Sequence, residues 1–144
     1  MRAPNASFQR RAFTLIELLL VIAIIGIMSA LIVTAISNTS SDARMVLARQ
    51  QQAVFQEALN AWISSASSGT NSLQDARTAY NNQSTALAKL SLIQNYLDPS
   101  TYAHFTGYTT NTAQLQSEAM RKEGVYLQFT SWATNAYPRV NMGP

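Results

Sequence analysis

The chain has no cysteine and a single histidine, His104, among its 144 residues. Without cysteine there is no disulfide staple, no thiolate nucleophile and no zinc–sulfur cage. One histidine in Tyr102-Ala103-His104-Phe105 builds no transition-metal site and reads as a surface or packed ring. Charged residues make up only 12% of the chain, and the acids beyond residue 41 stand singly, so no oxygen-rich calcium loop is legible. Neither a phosphate-cradling glycine loop nor a nucleophile elbow is present. Catalytic residues, metal and cofactor are all expected to be none, and the chain reads as a non-enzyme.

The net charge of +3 is concentrated at one end. Arg2, Arg10 and Arg11 lie in the first twelve residues, and beyond them seven bases face seven acids. A neutral remainder does not supply the basic stripe that nucleic acid requires, so no nucleic-acid partner is expected.

What the chain does have is a long apolar run. Residues 18–36 are almost wholly hydrophobic, and residues 18–41 carry no charge. Nineteen helical residues span roughly 28 Å, close to the hydrocarbon core of about 30 Å. Three arginines precede the run, whereas Asp42 and Arg44 cancel beyond it, so the positive-inside rule places the N-terminus in the cytoplasm. One carboxylate, Glu17, stands at the mouth of the run, where an acid is costly and calls for a partner. Two plainer readings exist. One is a secretory signal peptide cut near Val33 and Ala35, although the run exceeds the usual apolar length and contains an acid at its start. The other is a simple single-pass anchor with Glu17 merely interfacial.

The stretch Phe13-Thr14-Leu15-Ile16-Glu17-Leu18-Leu19-Leu20-Val21-Ile22-Ala23-Ile24-Ile25-Gly26-Ile27, behind Arg10-Arg11-Ala12, resembles the N-terminal signature of type IV prepilins and type II secretion pseudopilins. The resemblance covers about 25 residues. It implies cleavage between Ala12 and Phe13 by a membrane-embedded prepilin peptidase, and N-methylation of the new Phe13 amine. Counted from Phe13, Glu17 is the fifth residue, where the family places its assembly glutamate. The implied role is to pair with the N-terminal amine of a newly added subunit. Gly26, with Ser29 and Ala30, matches a small-residue surface for close helix packing. Two positions depart from the pattern. Ala12 stands where Gly is usual, and Thr34 stands where many relatives carry a kinking proline, so a smoother helix is expected there.

The fold expected is α+β and helix-dominated. Its divisions are a basic leader (1–12), a transmembrane and assembly half of a long helix (13–36), its amphipathic half (37–64) and a small head (65–144). Residues 38–42 read as a polar break. Beyond it, Val54, Ala58 and Trp62 form one helical row, and Phe55, Leu59 and Ile63 the next, with Arg49, Gln51, Gln52, Gln56, Glu57 and Asn60 filling much of the rest. Residues 65–71 read as a turn. Ser72 and Asp75 read as a capping box opening a second helix, with a break near residues 81–84. A short helix is expected over residues 90–97, stopped by Asp98-Pro99. Residues 102–112 read as a loop and 113–123 as a helix ending at Gly124. Val125-Tyr126-Leu127-Gln128-Phe129-Thr130 alternates as a strand, paired with residues 138–142 in a minimal hairpin.

With the resemblance, the expected function is a structural subunit, pilin or pseudopilin, of a type IV pilus-like filament or a type II secretion pseudopilus. Expected partners are identical or homologous subunits, the peptidase/N-methyltransferase, an inner-membrane assembly platform and membrane lipid. The expected location is the bacterial inner membrane, then a periplasmic or surface filament. A pilus, a secretion pseudopilus and a DNA-uptake pilus share this anchor. The alternative from another class is a single-pass, membrane-tethered binding protein that does not polymerise.

Overall fold

A computed structural model describes residues 13–68, 72–109 and 112–144. In order these form α1 (Leu15–Ala66), α2 (Leu73–Asn81), α3 (Ala86–Leu92), a 3-10 turn (Gln94–Tyr96), α4 (Pro99–Tyr108), α5 (Glu118–Glu123), β1 (Tyr126–Phe129) and β2 (Val140–Gly143). The expected helix-dominated α+β class is what is seen. The chain divides into two compact units, Met1–Thr39 and Ser40–Pro144.

The first unit, from Phe13 onward, is the beginning of α1, and its side chains are exposed throughout. Thr34 keeps the helix regular where a proline would interrupt it. Its Oγ1 donates back to the carbonyls of Leu31 (2.9 Å) and Ala30 (3.3 Å). The break expected at residues 38–42 does not occur, because the polar side chains there serve the helix instead of opposing it. Thr39 Oγ1 donates to the Ala35 carbonyl at 3.0 Å, and Ser40 Oγ accepts from Arg44.

The second unit closes over the outer part of α1. Ala48, Phe55, Ala58, Leu59 and Ile63 are buried. Val54 is exposed and Trp62 half-buried, so the buried stripe is narrower than the two rows expected and centres on Phe55, Leu59 and Ile63. Phe55 meets Phe105 of α4 edge to face, with centroids 4.6 Å apart. Around them lie Tyr80, Leu90, Ile93, Leu115, Met120 and Leu127, all essentially without solvent contact.

Of the glutamines beside the buried row, Gln52 and Gln56 hold backbone and Gln51 holds a side chain. Gln56 accepts from the Val140 N–H (2.8 Å) and donates to the Pro138 carbonyl (3.4 Å), Gln52 donates to the Val140 carbonyl (2.8 Å), and Gln51 accepts from Ser117 Oγ (2.9 Å). Gln52 and Gln56 give the outward backbone groups of Val140 the partners a further strand would supply. The hairpin is antiparallel, in register Tyr126↔Gly143 to Phe129↔Val140. Leu115 covers the other edge of β1, exchanging two 2.8 Å bonds with Leu127. At Gly143 a Cβ would come within 2.9 Å of the far end of the Tyr126 ring, so a larger residue there would make the ring shift.

The capping box at Ser72 is present in both directions. The residues 69–71 of the expected turn lie outside the described residues. Three local expectations are corrected. Asp98-Pro99 follows the end of the 3-10 turn, as expected, but also starts a helix that was not expected: Asp98 accepts from the N–H groups of Ser100 (2.9 Å) and Thr101 (3.2 Å), and Pro99 occupies the first turn, where its missing N–H costs nothing. Most of the loop expected at residues 102–112 is therefore α4, although 110–111 lie outside the described residues. The helix expected over 90–97 starts earlier, at Ala86, capped by Thr85, and tightens into the 3-10 turn after Leu92. The helix expected over 113–123 is only α5, because Leu115 is drawn into the bridge with Leu127 and Ser117 becomes the cap. Its end is as expected, with Gly124 left-handed at φ 71°.

Because Phe105 fills the core from α4, Phe105→Ala is expected to cost about 3–5 kcal/mol. Urea unfolding of the detergent-solubilised chain checks this, and a cost below about 1 kcal/mol would mean that α4 does not close the core.

Candidate functional site

The candidate site is the start of α1. Phe13 is 74% exposed. Thr14 lies just before the first helical residue, and its carbonyl accepts from the Leu18 N–H at 3.3 Å. Glu17 folds back over this end. Its Oε2 accepts from the Thr14 N–H (2.9 Å) and from Thr14 Oγ1 (2.8 Å), while Thr14 Oγ1 accepts from the Glu17 N–H (3.3 Å). Thr14 and Glu17 thus form a reciprocal capping box that satisfies donors a helix start leaves open. The Thr-x-x-Glu spacing is the sequence signal for it. The structure adds Thr14 to the expected site residues and shows one carboxylate oxygen, Oε2, taking both Thr14 bonds.

Beyond Glu17 the helix presents Leu18, Leu19, Leu20, Ile22, Ile24 and Ile25 to its surroundings, each at least half exposed. Gly26 lies in open space, with nothing within 4 Å of where a Cβ would be. Within one chain, then, Gly26 packs against nothing, and any close helix approach must come from another molecule. By length and composition this is one helix able to cross a membrane, and its apolar window has no buried residue. Ala12 and the basic residues Arg10 and Arg11 lie outside the described residues, so of the expected cleavage pair only Phe13 is placed.

In the second unit, Glu123 at the end of α5 is held by the outer part of α1. Ser41 Oγ donates to one carboxylate oxygen at 2.6 Å and Arg44 Nη1 to the other at 3.0 Å. Nothing in the sequence signalled this clasp, since its partners are 82 and 79 positions apart. His104 sits in α4, not in a loop, with its ring 4.7 Å from that of Tyr108. Among the described residues no three His, Cys, Asp or Glu side chains gather where they would hold a metal. Tyr80 is a core residue. Its hydroxyl donates to the Thr130 carbonyl at 2.8 Å, and burial pushes its pKa up.

Residues 7–33 match the family model of the prokaryotic N-terminal methylation motif. The chain carries the prepilin-type signature. The match takes in Phe13, Thr14, Glu17 and Gly26 and ends before Thr34, so it covers residues 7–12 and most of the exposed apolar part of α1 and leaves the second unit outside. This is a motif of pilin-type structural proteins, not of an enzyme family. No curated protein and no solved structure matches the chain.

The Glu123 clasp has a pH signature. Its carboxyl is held below the ordinary range, first by the Ser41 hydrogen bond and then by Arg44. The folded form therefore binds this proton less readily than the unfolded chain. The stabilisation is present above the unfolded pKa of about 4.3 and fades as pH falls through the lower folded value. In unfolding measurements across pH, the deficit of Glu123→Gln relative to the parent is expected to shrink below about pH 4. A deficit that stays constant from neutral to strongly acid pH would show that the charged clasp is not its source.

Proposed function

We propose that the chain is a structural subunit, pilin or pseudopilin, of a type IV pilus-like filament or a type II secretion pseudopilus. One observation carries this reading: a capped acid, Glu17, at the head of a helix whose apolar side chains up to Ile36 are exposed among the described residues. The methylation motif over the same residues supports it. A helix apolar on all sides is stable in lipid or among copies of itself, and the prepilin route uses both in turn.

In this reading the chain waits in the bacterial inner membrane with its N-terminus in the cytoplasm. A prepilin peptidase cuts between Ala12 and Phe13, and the new amine is methylated. Phe13 then carries a cation next to Thr14 and one helical turn from Glu17. The capping box holds Glu17 turned toward the helix start, so its carboxylate is already oriented for an amine, its own or that of a neighbouring subunit. Pairing removes an unmatched charge from an apolar bundle and sets the axial register of the added subunit. Gly26, with Ser29 and Ala30, lets a second helix approach closely. The inner-membrane assembly platform supplies the ordered surface on which subunits join. The second unit is the part left for the outside of the fibre.

Mass spectrometry of the mature protein from its own host tests the processing. The expected N-terminus is methylated Phe13. A chain beginning near Ile36 would make it a secreted domain, and an intact Met1 would leave a plain anchor. Glu17→Ala tests assembly separately: it is expected to insert into the membrane at the parental level and to yield no shearable fibre. A Glu17→Ala chain indistinguishable from the parent in every assay would instead favour a tethered binding protein.

A further inference from the structure

The outer part of α1 and residues 137–141 border an open cleft of about 550 Å³, whose lining includes Arg49, Asn60, Tyr137 and Arg139. That volume lies in the range of about 300–1,000 Å³ usual for ligand sites. A second hollow of about 290 Å³ adjoins it, lined on the α1 side by Ser64 and Ser67. Asn60 and Tyr137 line both, so together they make one groove with an aromatic ring at its middle. All of it lies in the second unit. An open groove of this kind suits a stretch of polymer laid along the surface.

One end of the groove is cationic. Among the described residues of the second unit, the other bases are engaged: Arg44 with Glu123, Lys122 with Glu118 and Arg77 with Gln74. Lys89 and Arg121 lie over the rings of Tyr80 and Tyr108. The guanidinium groups of Arg49 and Arg139 have no hydrogen bond, ion pair or ring contact, and no acid lines their cleft. Two like charges in one cleft repel until an anion lies between them, and the guanidinium fork matches a carboxylate.

The rest of the groove is held in place and carries groups of a different kind. The Arg139 N–H donates to Thr130 Oγ1 at 2.8 Å, and its carbonyl accepts from the Thr130 N–H at 2.9 Å. Tyr137 is 59% exposed, yet its ring rests on the buried Trp132 with centroids 5.6 Å apart. An exposed ring braced from behind is a platform for a flat apolar face, at little cost in side-chain entropy. Beside it, Asn60 Oδ1 accepts from Gln56 at 3.0 Å, which leaves the Asn60 amide NH2 to donate. Ser64 and Ser67 donate to the carbonyls of Asn60 (3.1 Å) and Ile63 (2.7 Å), which leaves their oxygens to accept.

This combination of paired cations at one end, an aromatic face in the middle and uncharged donors and acceptors beyond it matches a sugar acid. A peptide cannot add as a further strand, because Gln52 and Gln56 already occupy the outward N–H and carbonyl of Val140. A nucleic-acid backbone needs bases along its whole track, and here both stand at one end. We propose that the groove binds an acidic oligosaccharide of the uronic-acid type. Arg49 and Arg139 hold a sugar carboxylate, Tyr137 carries the apolar face of a ring, and Asn60, Ser64 and Ser67 take hydroxyl groups. Because the groove lies in the second unit, its ligand does not depend on whether the chain polymerises.

Titration calorimetry of the full-length chain in neutral detergent tests this. The probes are tetrasaccharides of galacturonate, of mannuronate and of hyaluronan, each with its methyl ester, which keeps the hydroxyls and removes the charge. At least one acid tetrasaccharide is expected to bind, with its ester weaker by about tenfold or more. For that probe, Arg49→Gln and Arg139→Gln are each expected to weaken binding by about tenfold or more. Tyr137→Ala is expected to weaken it and Tyr137→Phe to retain it, whereas Arg77→Gln, which removes a base outside the groove, matches the parent. Acid and ester bound alike, or Arg77→Gln as damaging as Arg49→Gln, overturns the carboxylate site. Inorganic phosphate or an oligothymidylate bound more tightly than every acid sugar also overturns it and assigns the arginines to phosphate. So does the lack of binding by all three acid sugars. Each of these failures leaves the filament reading standing.

Discussion

Burial of the row Phe55, Leu59 and Ile63 on α1 is the contact on which the second unit depends. These side chains have almost no solvent exposure, and Phe105, Tyr80, Leu90, Met120 and Leu127 belong to the same buried cluster. Fully burying one such side chain contributes about 1.5–3 kcal/mol, so this cluster is the main force gathering four short helices and two short strands. A two-stranded sheet is marginal in water on its own. Here it is completed by Leu115 on one edge and by Gln52 and Gln56 on the other, which places the polar ends of α1 side chains where a third strand would lie. The glutamines reach their backbone targets because they flank the buried row on the same helix.

The same helix carries a second, opposite constraint. From Phe13 to Ile36 its large apolar residues are exposed, and no contact among the described residues covers them. In water that exposure is unfavourable by the same area-proportional term that stabilises the second unit. The first unit is therefore complete only in a different solvent or among other molecules, whereas the second is complete by itself. One chain thus holds an intermolecular apolar surface and an intramolecular one in sequence along α1. The capping box of Thr14 and Glu17 belongs to the first. It saturates the start of the helix while keeping a carboxylate at the point where processing would create an amine.

Much of this was legible in the residues. The apolar run, Glu17 and the basic residues before it identify the anchor and the prepilin-type signature. The capping box at Ser72 and the left-handed Gly124 were readable because both depend on bonds between residues three to five apart. The errors came where a local signal admits two meanings. Asp98-Pro99 ends one element and begins the next, and an aspartate followed by proline is as good a helix start as a stop. Residues 38–42 contain poor helix formers, yet their hydroxyls bond to carbonyls one turn back or to Glu123, and the helix continues. Leu115 fits a helical pattern and was taken by a strand instead.

By itself the sequence determined the length and apolar character of the membrane-length run, the motif at its head, the Ser72 capping box and the Gly124 helix end, because each rests on interactions within a turn or on the solvent a run of side chains can tolerate. Only the tertiary structure decided that Gln52 and Gln56 hold the C-terminal strand, that Ser41 and Arg44 hold Glu123, and that Arg49 and Arg139 are left sharing a cleft. Those arrangements join residues about eighty to ninety positions apart. Such pairings exist only after the core around Phe55 has brought the chain ends of the second unit together, and no local pattern encodes where they will meet.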